Sequence, residues 1–387
     1  MTVGTVLGFV ALAIWLYLLV ARGGFWLARD RDDRESIPDP VHWPSVVAVV
    51  PARNEADVIA QSVGSLVKQD YPGSFRIVLV DDGSDDGTAT VAQKAAAAEG
   101  GKRLEVLRGA ALPTGWTGKL WAMQQGVQHV SDSGEPPDYL LLTDADIGHS
   151  PDNLRALVAR AERRGRVLVS LMAELSSTTW AERFLVPAFV FFFQMLYPFA
   201  WVARIERRLA AAAGGCMLVR REALERAGGI ASIRSEIIDD CALARRLKAE
   251  GPIWLGLTRR ARSLRPYGSV GEIGRMVSRS AYAQLGYSLL LLAGTVAGMV
   301  LTYLVPPALA LFGDSGLARG AGLGAWGLMA LAFQPMLRFY RVSPLWGAAL
   351  PIIGMTYTLF TMLSAFQVWR GRGGMWKGRA QAMARGT

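Results

Sequence analysis

The middle of the chain alternates short apolar runs with stretches in which apolar residues recur every three or four positions. The runs are typical of buried strands and the recurring positions of amphipathic helices. They predict strands over 46–51, 75–80, 104–108 and 138–143, with a helix after each. We expect one face of the first helix to carry Val58, Ile59, Val63, Leu66 and Val67, and Thr88 to cap the second helix. This alternation indicates a doubly wound, mostly parallel sheet, whose ligands bind outside the carboxyl ends of the strands. We therefore predict an α/β domain over residues 45–264.

The first apolar stretch, residues 3–21, carries no charged side chain. About 20 such residues span a bilayer core as a helix. A cleaved signal peptide carries positive charge before its apolar run, whereas here four arginines follow it between positions 22 and 34. Positive charge stays on the cytosolic side. We expect a transmembrane anchor over 1–22 and a basic linker over 23–44 that leads into a cytosolic domain.

The end of the chain is also apolar, and we predict an amphipathic basic segment over 265–283 followed by a transmembrane domain and basic tail over 284–387. The apolar stretches of this domain are 284–312, 320–337 and 345–368. Basic residues follow the second and third stretches, and both basic segments favour the cytosolic side. A count of four spans would instead put the C-terminal tail outside. Pro351 interrupts the last stretch, which suggests that it enters the membrane and returns. The side of the C-terminus therefore stays open.

One apolar stretch, residues 184–202, falls inside the predicted α/β domain. It is rich in aromatic residues and contains Pro187 and Pro198. We expect two helices that lie in the membrane interface there, rather than a span.

Composition supports a membrane protein, since 51% of the residues are hydrophobic and only 19% are charged. The net charge of +10 fits an anionic membrane face or an anionic substrate. Basic residues are not interleaved with aromatic ones, so a nucleic-acid partner is not expected. The two cysteines predict no disulfide framework, and the three scattered histidines predict neither a zinc site nor a Ser-His-Asp triad.

Acidic residues follow three of the four predicted strands: PARNE (51–55), DDGSDDGT (81–88) and DAD (144–146). In a continuing strand, Asp144 and Asp146 would point the same way. Two adjacent carboxylates suit Mg²⁺ or Mn²⁺, which also bind substrate phosphates. The alternative is a polar turn, which a single D-x-D more often is.

Two further sets of residues have both a binding and a structural interpretation. Asp81 and Asp82 would accept from an imide or a ribose hydroxyl, or shape an Asx turn. Lys119 opens a helix after a Gly/Thr/Trp-rich loop over 112–118. A cation is disfavoured at that positive end, which suggests a nearby anion such as phosphate. A solvated surface lysine is the alternative.

Two later sets are equally open. Asp239 and Asp240 begin a predicted helix, where acids are common for electrostatic reasons, and one of them would serve as a general base. Arg275 and Arg279 lie four apart on one helical face. They would clamp a leaving diphosphate or hold lipid headgroups.

Taken together, these motifs resemble the family 2 glycosyltransferases, which are inverting enzymes of the GT-A fold. PARNE resembles P-x-x-N-E, and VDDGSDDGT (80–88) resembles the nucleotide-binding turn. KLWAMQQG (119–126) resembles K-x-x-A-x-N-x-G, with Gln124 in place of Asn. IDDCALARRL (238–247) resembles the T-E-D helix, although Ile238 and Asp239 replace Thr and Glu. The Q-x-x-R-W motif of processive synthases is absent, which favours single transfer onto a lipid.

The resemblance, which covers about 46–280, implies roles for these residues. A nucleotide sugar, most simply a UDP-sugar, would contact the loops after the first two strands, Lys119 and the two later arginines. A Mg²⁺ or Mn²⁺ ion would bind Asp144 and Asp146, and Asp240, beside Asp239, would be the base. The full set of implied donor-binding residues is Pro51, Ala52, Arg53, Glu55, Asp81, Asp82, Lys119, Asp144, Arg275 and Arg279.

The layout of the chain is similar to ceramide glucosyltransferases and to the hopanoid-associated group called HpnB. This implies a lipid acceptor such as a hopanoid, and a multi-pass protein of the bacterial inner membrane with a cytosolic catalytic domain. Rival interpretations are a metal-dependent nucleotidyl- or phosphotransferase acting on a lipid, and a catalytically silent membrane scaffold. A transporter is disfavoured because the apolar stretches hold no ionisable residues that would line a pathway.

Overall fold

A computed structural model describes residues 2–101, 103–371, 373, 375–376 and 379–380. The chain divides into two compact units. The sheet unit contains Asp30–Ser176 and Trp201–Pro266, and the helical unit contains the residues up to Arg29 together with Ser177–Ala200 and Tyr267–Gly373.

The strands, in chain order, are β1 (Val46–Ala52), β2 (Phe75–Asp81), β3 (Leu104–Arg108), β4 (Tyr139–Thr143), β5 (Ile147–His149), β6 (Leu168–Glu174), β7 (Cys216–Arg220), β8 (Ile253–Ser263), β9 (Met375–Trp376) and β10 (Arg379–Ala380). The α-helices are α1 (Val3–Ala21), α2 (Ile59–Val67), α3 (Thr88–Ala98), α4 (Gly118–Asp132), α5 (Asn153–Arg164), α6 (Trp180–Leu196), α7 (Phe199–Val202), α8 (Arg221–Arg226), α9 (Asp239–Glu250), α10 (Val270–Ser278), α11 (Ala281–Gln284), α12 (Leu289–Met299), α13 (Val305–Phe312), α14 (Gly316–Phe339) and α15 (Leu350–Trp369). Short 3₁₀ turns cover Phe25–Leu27, Ile230–Ile233 and Pro344–Gly347, and a π-helical turn covers Val300–Leu304.

The predicted α/β architecture is confirmed: a mixed eight-stranded sheet has the order β3-β2-β1-β4-β7-β6-β8-β5. The strands β3, β2, β1 and β4 are mutually parallel. The strand β7 runs antiparallel to both β4 and β6, and β5 runs antiparallel to β8. Ala52 at the end of β1 is therefore in register with Asp81 at the end of β2. This register brings the loops that follow the parallel strands to one edge.

Burial explains why the central strands form. All seven residues of β1 are buried, as expected for a strand covered on both faces. The predicted inner face of α2 is confirmed, since Ile59, Val63 and Leu66 are fully buried. In α4, a Cβ at Gly126 would lie 2.5 Å from a methyl group of Val49. The absence of a side chain there lets α4 pack closely on the sheet.

Local predictions differ from the structure at two places in the sheet unit. Thr88 is not the cap of α3; Gly87 holds that position with φ 86°, and the Thr88 hydroxyl accepts from the Glu55 amide at 2.8 Å. Asp144 and Asp146 do not continue β4 but lie in the turn between β4 and β5. The alternation of side chains along a strand therefore does not set their directions.

The helical unit contains helices long and apolar enough to cross a membrane. Among the described residues, four segments qualify: Val3–Ala21, Trp180–Val202, Leu289–Phe312 and Leu350–Trp369. Trp180–Val202 qualifies by length and composition only. This does not distinguish a span from helices that lie in the membrane interface, so the interfacial helices over 184–202 stay a prediction. Pro351 does not interrupt the last segment. It lies in the first turn of α15, where a proline is tolerated.

Candidate active site

The loops after β1 and β2 interlock. The Arg53 guanidinium donates to the backbone carbonyls of Asp82 and Gly83. Asn54, in the left-handed region at φ 51°, donates from its amide to the Ser84 hydroxyl at 3.0 Å. Its side-chain oxygen accepts from the amide of the residue after Ser84, also at 3.0 Å. PARNE and DDGSDDGT are therefore held together by hydrogen bonds as one ordered surface at the carboxyl edge of the sheet, which we call the ledge.

The two aspartates after β2 have different surroundings. Asp81 accepts from the Ser84 amide at 3.0 Å and from its hydroxyl, which is the predicted turn-shaping arrangement. Asp82 is 2% exposed, and one of its oxygens lies 3.8 Å from the Arg53 guanidinium. The preceding Pro51 and Ala52 are buried at the end of β1. A role of these residues in nucleotide binding stays a prediction.

Lys119 joins two acidic segments that are distant in sequence. Its Nζ lies 2.8 Å from Asp144 Oδ1 and 3.1 Å from Asp239 Oδ2, and its side chain is only 16% exposed. Burial acts to lower the pKa of Lys119, but the charges of the two carboxylates outweigh it and the pKa is raised. The anion inferred from a cation at a helix start is therefore supplied, in this structure, by the protein's own carboxylates.

Asp240 follows directly in the first turn of α9, and two backbone amides hold its carboxylate. Gly214 donates to Oδ2 at 2.9 Å and Cys241 donates to Oδ1 at 2.7 Å. Burial, together with the neighbouring charge of Asp239, raises the pKa of Asp240 to about 6. A carboxylate with a raised pKa is a stronger base than an exposed one and is still ionised at neutral pH.

This pKa predicts the acid limb of the pH–rate profile. A general base accepts a proton only when ionised, so the rate should rise through about pH 6 and level off above it. Well below that pH, the rate should change about tenfold per pH unit. The measurement is kcat/KM for the acceptor as a function of pH, because this ratio reports the pKa values of the free enzyme. A flat profile down to about pH 5, more than a full unit above an ordinary aspartate pKa, would contradict the raised pKa.

Arg265 is a site residue that sequence reasoning assigned only to a basic segment. It follows the end of β8, and its guanidinium contacts Glu55 of PARNE. The same group lies 3.4 Å from Asp146 and 3.6 Å from Asp57. The strand at 253–263 was not predicted from the sequence. Had it been, an arginine just beyond its carboxyl end would have indicated a site residue.

The acidic pair, Asp144 and Asp146, is therefore held by two cations from different elements. Asp144 pairs with Lys119 and Asp146 with Arg265. Below the pair, the Thr143 hydroxyl lies 3.1 Å from Nε2 of the buried His149, and Asn153 lies 2.9 Å from the other ring nitrogen. Burial lowers the pKa of His149 to about 4. Thr143, the residue before the acidic pair, thus contacts a neutral, hydrogen-bonded ring.

The acidic pair supplies only some of the ligands that a divalent cation needs. Within the described ranges, no group of three or more His, Cys, Asp or Glu side chains is placed to hold a metal ion. Mg²⁺ is commonly held by one or two carboxylates, with substrate phosphates and water as its other ligands. Two partly exposed carboxylates, 32% and 26% exposed, suit that kind of site.

The remaining two predicted residues belong to the helical unit. Arg275 lies in α10, where its side chain is 72% exposed and 3.9 Å from Glu272. Arg279 follows as the C-terminal cap residue of the same helix. Contact of either with a diphosphate or with lipid headgroups stays a prediction.

Comparison with known proteins agrees with this fold. Residues 47–228 match the model of glycosyl transferase family 2. Over these residues the chain is similar to a glycosyltransferase family 2 domain, and this segment includes Lys119 and Asp144 of the site. A solved mannosyltransferase from Pyrobaculum calidifontis, in complex with GDP-Man and Mn²⁺, superposes with a TM-score of 0.56 over 95% of this chain and 99% of that one. At 18% identity, this likeness shows the fold.

Two curated relatives are similar over part of their length. An N-acetylglucosaminyltransferase of Rhizobium leguminosarum bv. viciae is 32% identical over 47% of this chain and 40% of that protein. A dodecaprenyl-phosphate galacturonate synthase of Rhizobium johnstonii is 33% identical over 33% of this chain and 35% of that protein. The chain therefore spans well under two thirds of the length of these relatives.

Proposed function

We propose that the protein is an inverting, metal-dependent glycosyltransferase that moves a sugar from a nucleotide-diphosphate sugar to a membrane lipid. The observation that carries this proposal is the Lys119 bridge. One ammonium group contacts the acidic pair at Asp144 and the α9 start at Asp239. The groups proposed for the leaving diphosphate and for the acceptor hydroxyl are therefore neighbours in one site.

The donor side is built by the ledge of interlocked loops and the acidic pair. The nucleotide would lie on Arg53, Glu55, Asp81 and Asp82, a UDP-sugar being the first candidate. A Mg²⁺ or Mn²⁺ ion bound to Asp144 and Asp146 would supply charge neutralisation of the leaving diphosphate. Lys119 would add a second positive charge beside it. Because the protein groups are already ordered, little reorganisation is needed during the reaction.

The acceptor side is built by Asp240. Its carboxylate, held by two backbone amides, would accept the proton of an acceptor hydroxyl as that oxygen attacks the anomeric carbon. Attack opposite the nucleoside diphosphate inverts the configuration at that carbon in one step. Asp239, fixed on Lys119, would keep the start of α9 in place.

A lipid acceptor is supported by the four helices that are long and apolar enough to cross a membrane, which would associate the protein with a membrane. One relative's description names dodecaprenyl phosphate, so a polyprenyl phosphate joins the hopanoids as a candidate class. Its phosphate oxygen is already ionised and would need no base, so the base role of Asp240 applies to a hydroxyl acceptor such as a hopanoid. We place the protein in the bacterial inner membrane with its sheet unit in the cytosol.

The test of the proposed function is mass spectrometry of membrane lipids from cells with and without the gene. A glycolipid that disappears on deletion supports the proposal, and identical lipid profiles under all growth conditions would contradict it.

Removal of divalent cations is expected to abolish transfer, because two carboxylates beside a diphosphate repel it without a cation between them. Assays in excess EDTA should show at least about a hundredfold loss, with Mn²⁺ or Mg²⁺ restoring the rate. Zinc-saturated EDTA, which removes little further metal, serves as the control. Full turnover in the chelator would remove the metal role of the acidic pair.

A further inference from the structure

Arg265 is a charged group of the site that the proposed mechanism does not use. We propose that Arg265 is the resident cation of the donor site: it holds Asp146 and Glu55 while the site is empty, and turns to the donor diphosphate when a metal ion takes Asp146. This inference rests on the proposed function and adds a donor-binding residue to it.

The contacts of Arg265 show why a metal ion at Asp146 would displace its guanidinium. Its guanidinium contacts carboxylates on both sides of the site, Glu55 and Asp57 after β1 and Asp146 after β4. An ion bound to Asp146 would compete with the guanidinium for the same oxygen, since Nε lies 3.4 Å from Oδ2. Two cations sharing one carboxylate repel each other. Metal binding therefore weakens one of the contacts that hold the arginine.

Arg265 is also better able to move than Lys119. The Lys119 side chain is 16% exposed and is anchored on Asp239 as well as on the acidic pair. The Arg265 side chain is 31% exposed and belongs to an irregular segment after β8. Glu55, 9% exposed in its side chain, would remain a pivot for the guanidinium. The planar fork of arginine binds phosphate oxygens in pairs, so a small rotation would exchange a carboxylate for the diphosphate.

A purely structural role makes a different prediction. If Arg265 only fastens the loop after β1 to the acidic turn, its removal would loosen both and weaken metal and nucleotide binding together. The resident-cation role predicts that the two affinities change in opposite directions. Without the arginine, a metal ion alone would bind Asp146 more tightly, and the nucleotide would bind less tightly.

The test uses the full chain in detergent micelles and needs no turnover. Electron paramagnetic resonance counts free Mn²⁺ in a titration without nucleotide. Calorimetry then measures the binding of UDP, and of GDP in parallel, at saturating Mn²⁺. For Arg265→Gln we expect Mn²⁺ alone to bind about fivefold more tightly and the nucleotide about fivefold more weakly than in wild type. Arg262→Gln, at an exposed arginine of β8 three residues earlier, is the matched control and should change neither.

A second variant keeps the inference testable if Arg265→Gln folds poorly. Arg265→Lys retains the charge but not the fork, so Mn²⁺ affinity should stay within about twofold of wild type while nucleotide affinity falls. Unchanged or weakened Mn²⁺ binding by a folded Arg265→Gln would overturn the resident-cation role and leave the proposed function standing. Absence of Mn²⁺ binding by wild type even with nucleotide would instead overturn the metal part of the proposed function, and this inference with it.

Discussion

Asp240→Asn is expected to lower the rate of sugar transfer by at least about a thousandfold, the upper part of the range for loss of a general base. Asparagine has nearly the same shape and keeps one of the two backbone contacts. Its single side-chain oxygen can accept from the Gly214 amide or the Cys241 amide but not from both, because these bond different oxygens of Asp240. Asparagine cannot, however, take up the proton of an acceptor hydroxyl. Nucleotide affinity should stay within a few-fold of wild type, because the ledge of loops after β1 and β2 is untouched. The measurements are kcat and the dissociation constant for UDP.

The control for this substitution is Asp132→Asn. Asp132 is an exposed residue at the far end of α4, where it accepts from Gln128, and its replacement should leave both constants unchanged. Turnover by Asp240→Asn near the wild-type rate would show that another group takes the proton. Asp239 is the adjacent residue and its charge acts on Asp240, so a large loss on Asp239→Asn in that case would reassign the base.

Lys119→Met is expected to cause the second-largest loss, in stability as well as in activity. Methionine has a similar length but no charge, so Asp144 and Asp239 would face each other without compensation. Breaking a buried ion pair from one side costs about 3–5 kcal/mol. The partial exposure of Asp144 puts the expected loss near the lower end. Transfer should fall at least about a hundredfold, because the cation beside the leaving diphosphate is removed.

The matched control is Lys68→Met. Lys68 makes an ion pair with Glu99 at 2.7 Å, but its side chain is 57% exposed, and surface pairs contribute about 0–1 kcal/mol. The free energy of unfolding, from chemical denaturation in the same detergent, distinguishes the two lysines. Equal stability losses for the two variants would mean that the Lys119 bridge contributes no more than a surface pair.

The sequence allowed the donor-side strands to be predicted because their signals are local. The strands β1, β2, β3 and β4 are short apolar runs, and each is followed within a few residues by a turn or a helix pattern. Parallel strands share one edge, so PARNE, the Asp81 turn and the acidic pair could be expected together. The register of Ala52 with Asp81 shows why that inference holds.

The cations of the site could not be placed in the same way, because their partners are distant in sequence. Arg265 lies 119 residues from Asp146 and 210 from Glu55. Its position depends on β8, which pairs in parallel with β6 and antiparallel with β5. Lys119 was expected to face a bound phosphate. Lys119 finds its anions in the turn after β4 and at the start of α9, and this depends on tertiary packing, which periodicity does not report.

The local errors have physical causes as well. Asp144 and Asp146 leave β4 for a turn because β5 reverses direction to pair with β8. Pro351 could be a break or a first-turn residue, and only the start of α15 distinguishes the two.

The central claim is that the site transfers a sugar and releases a nucleoside diphosphate, and one assay tests it most directly. Purified protein in lipid nanodiscs containing polyprenyl phosphate or hopanoid is incubated with nucleotide sugars that carry a ¹⁴C sugar and a ³²P label in the β-phosphate. The account predicts ¹⁴C in the lipid fraction and ³²P only in the nucleoside diphosphate, at equal rates. Release of labelled sugar phosphate or pyrophosphate, or ³²P entering the lipid, would contradict it and indicate a phospho- or nucleotidyl-transferase.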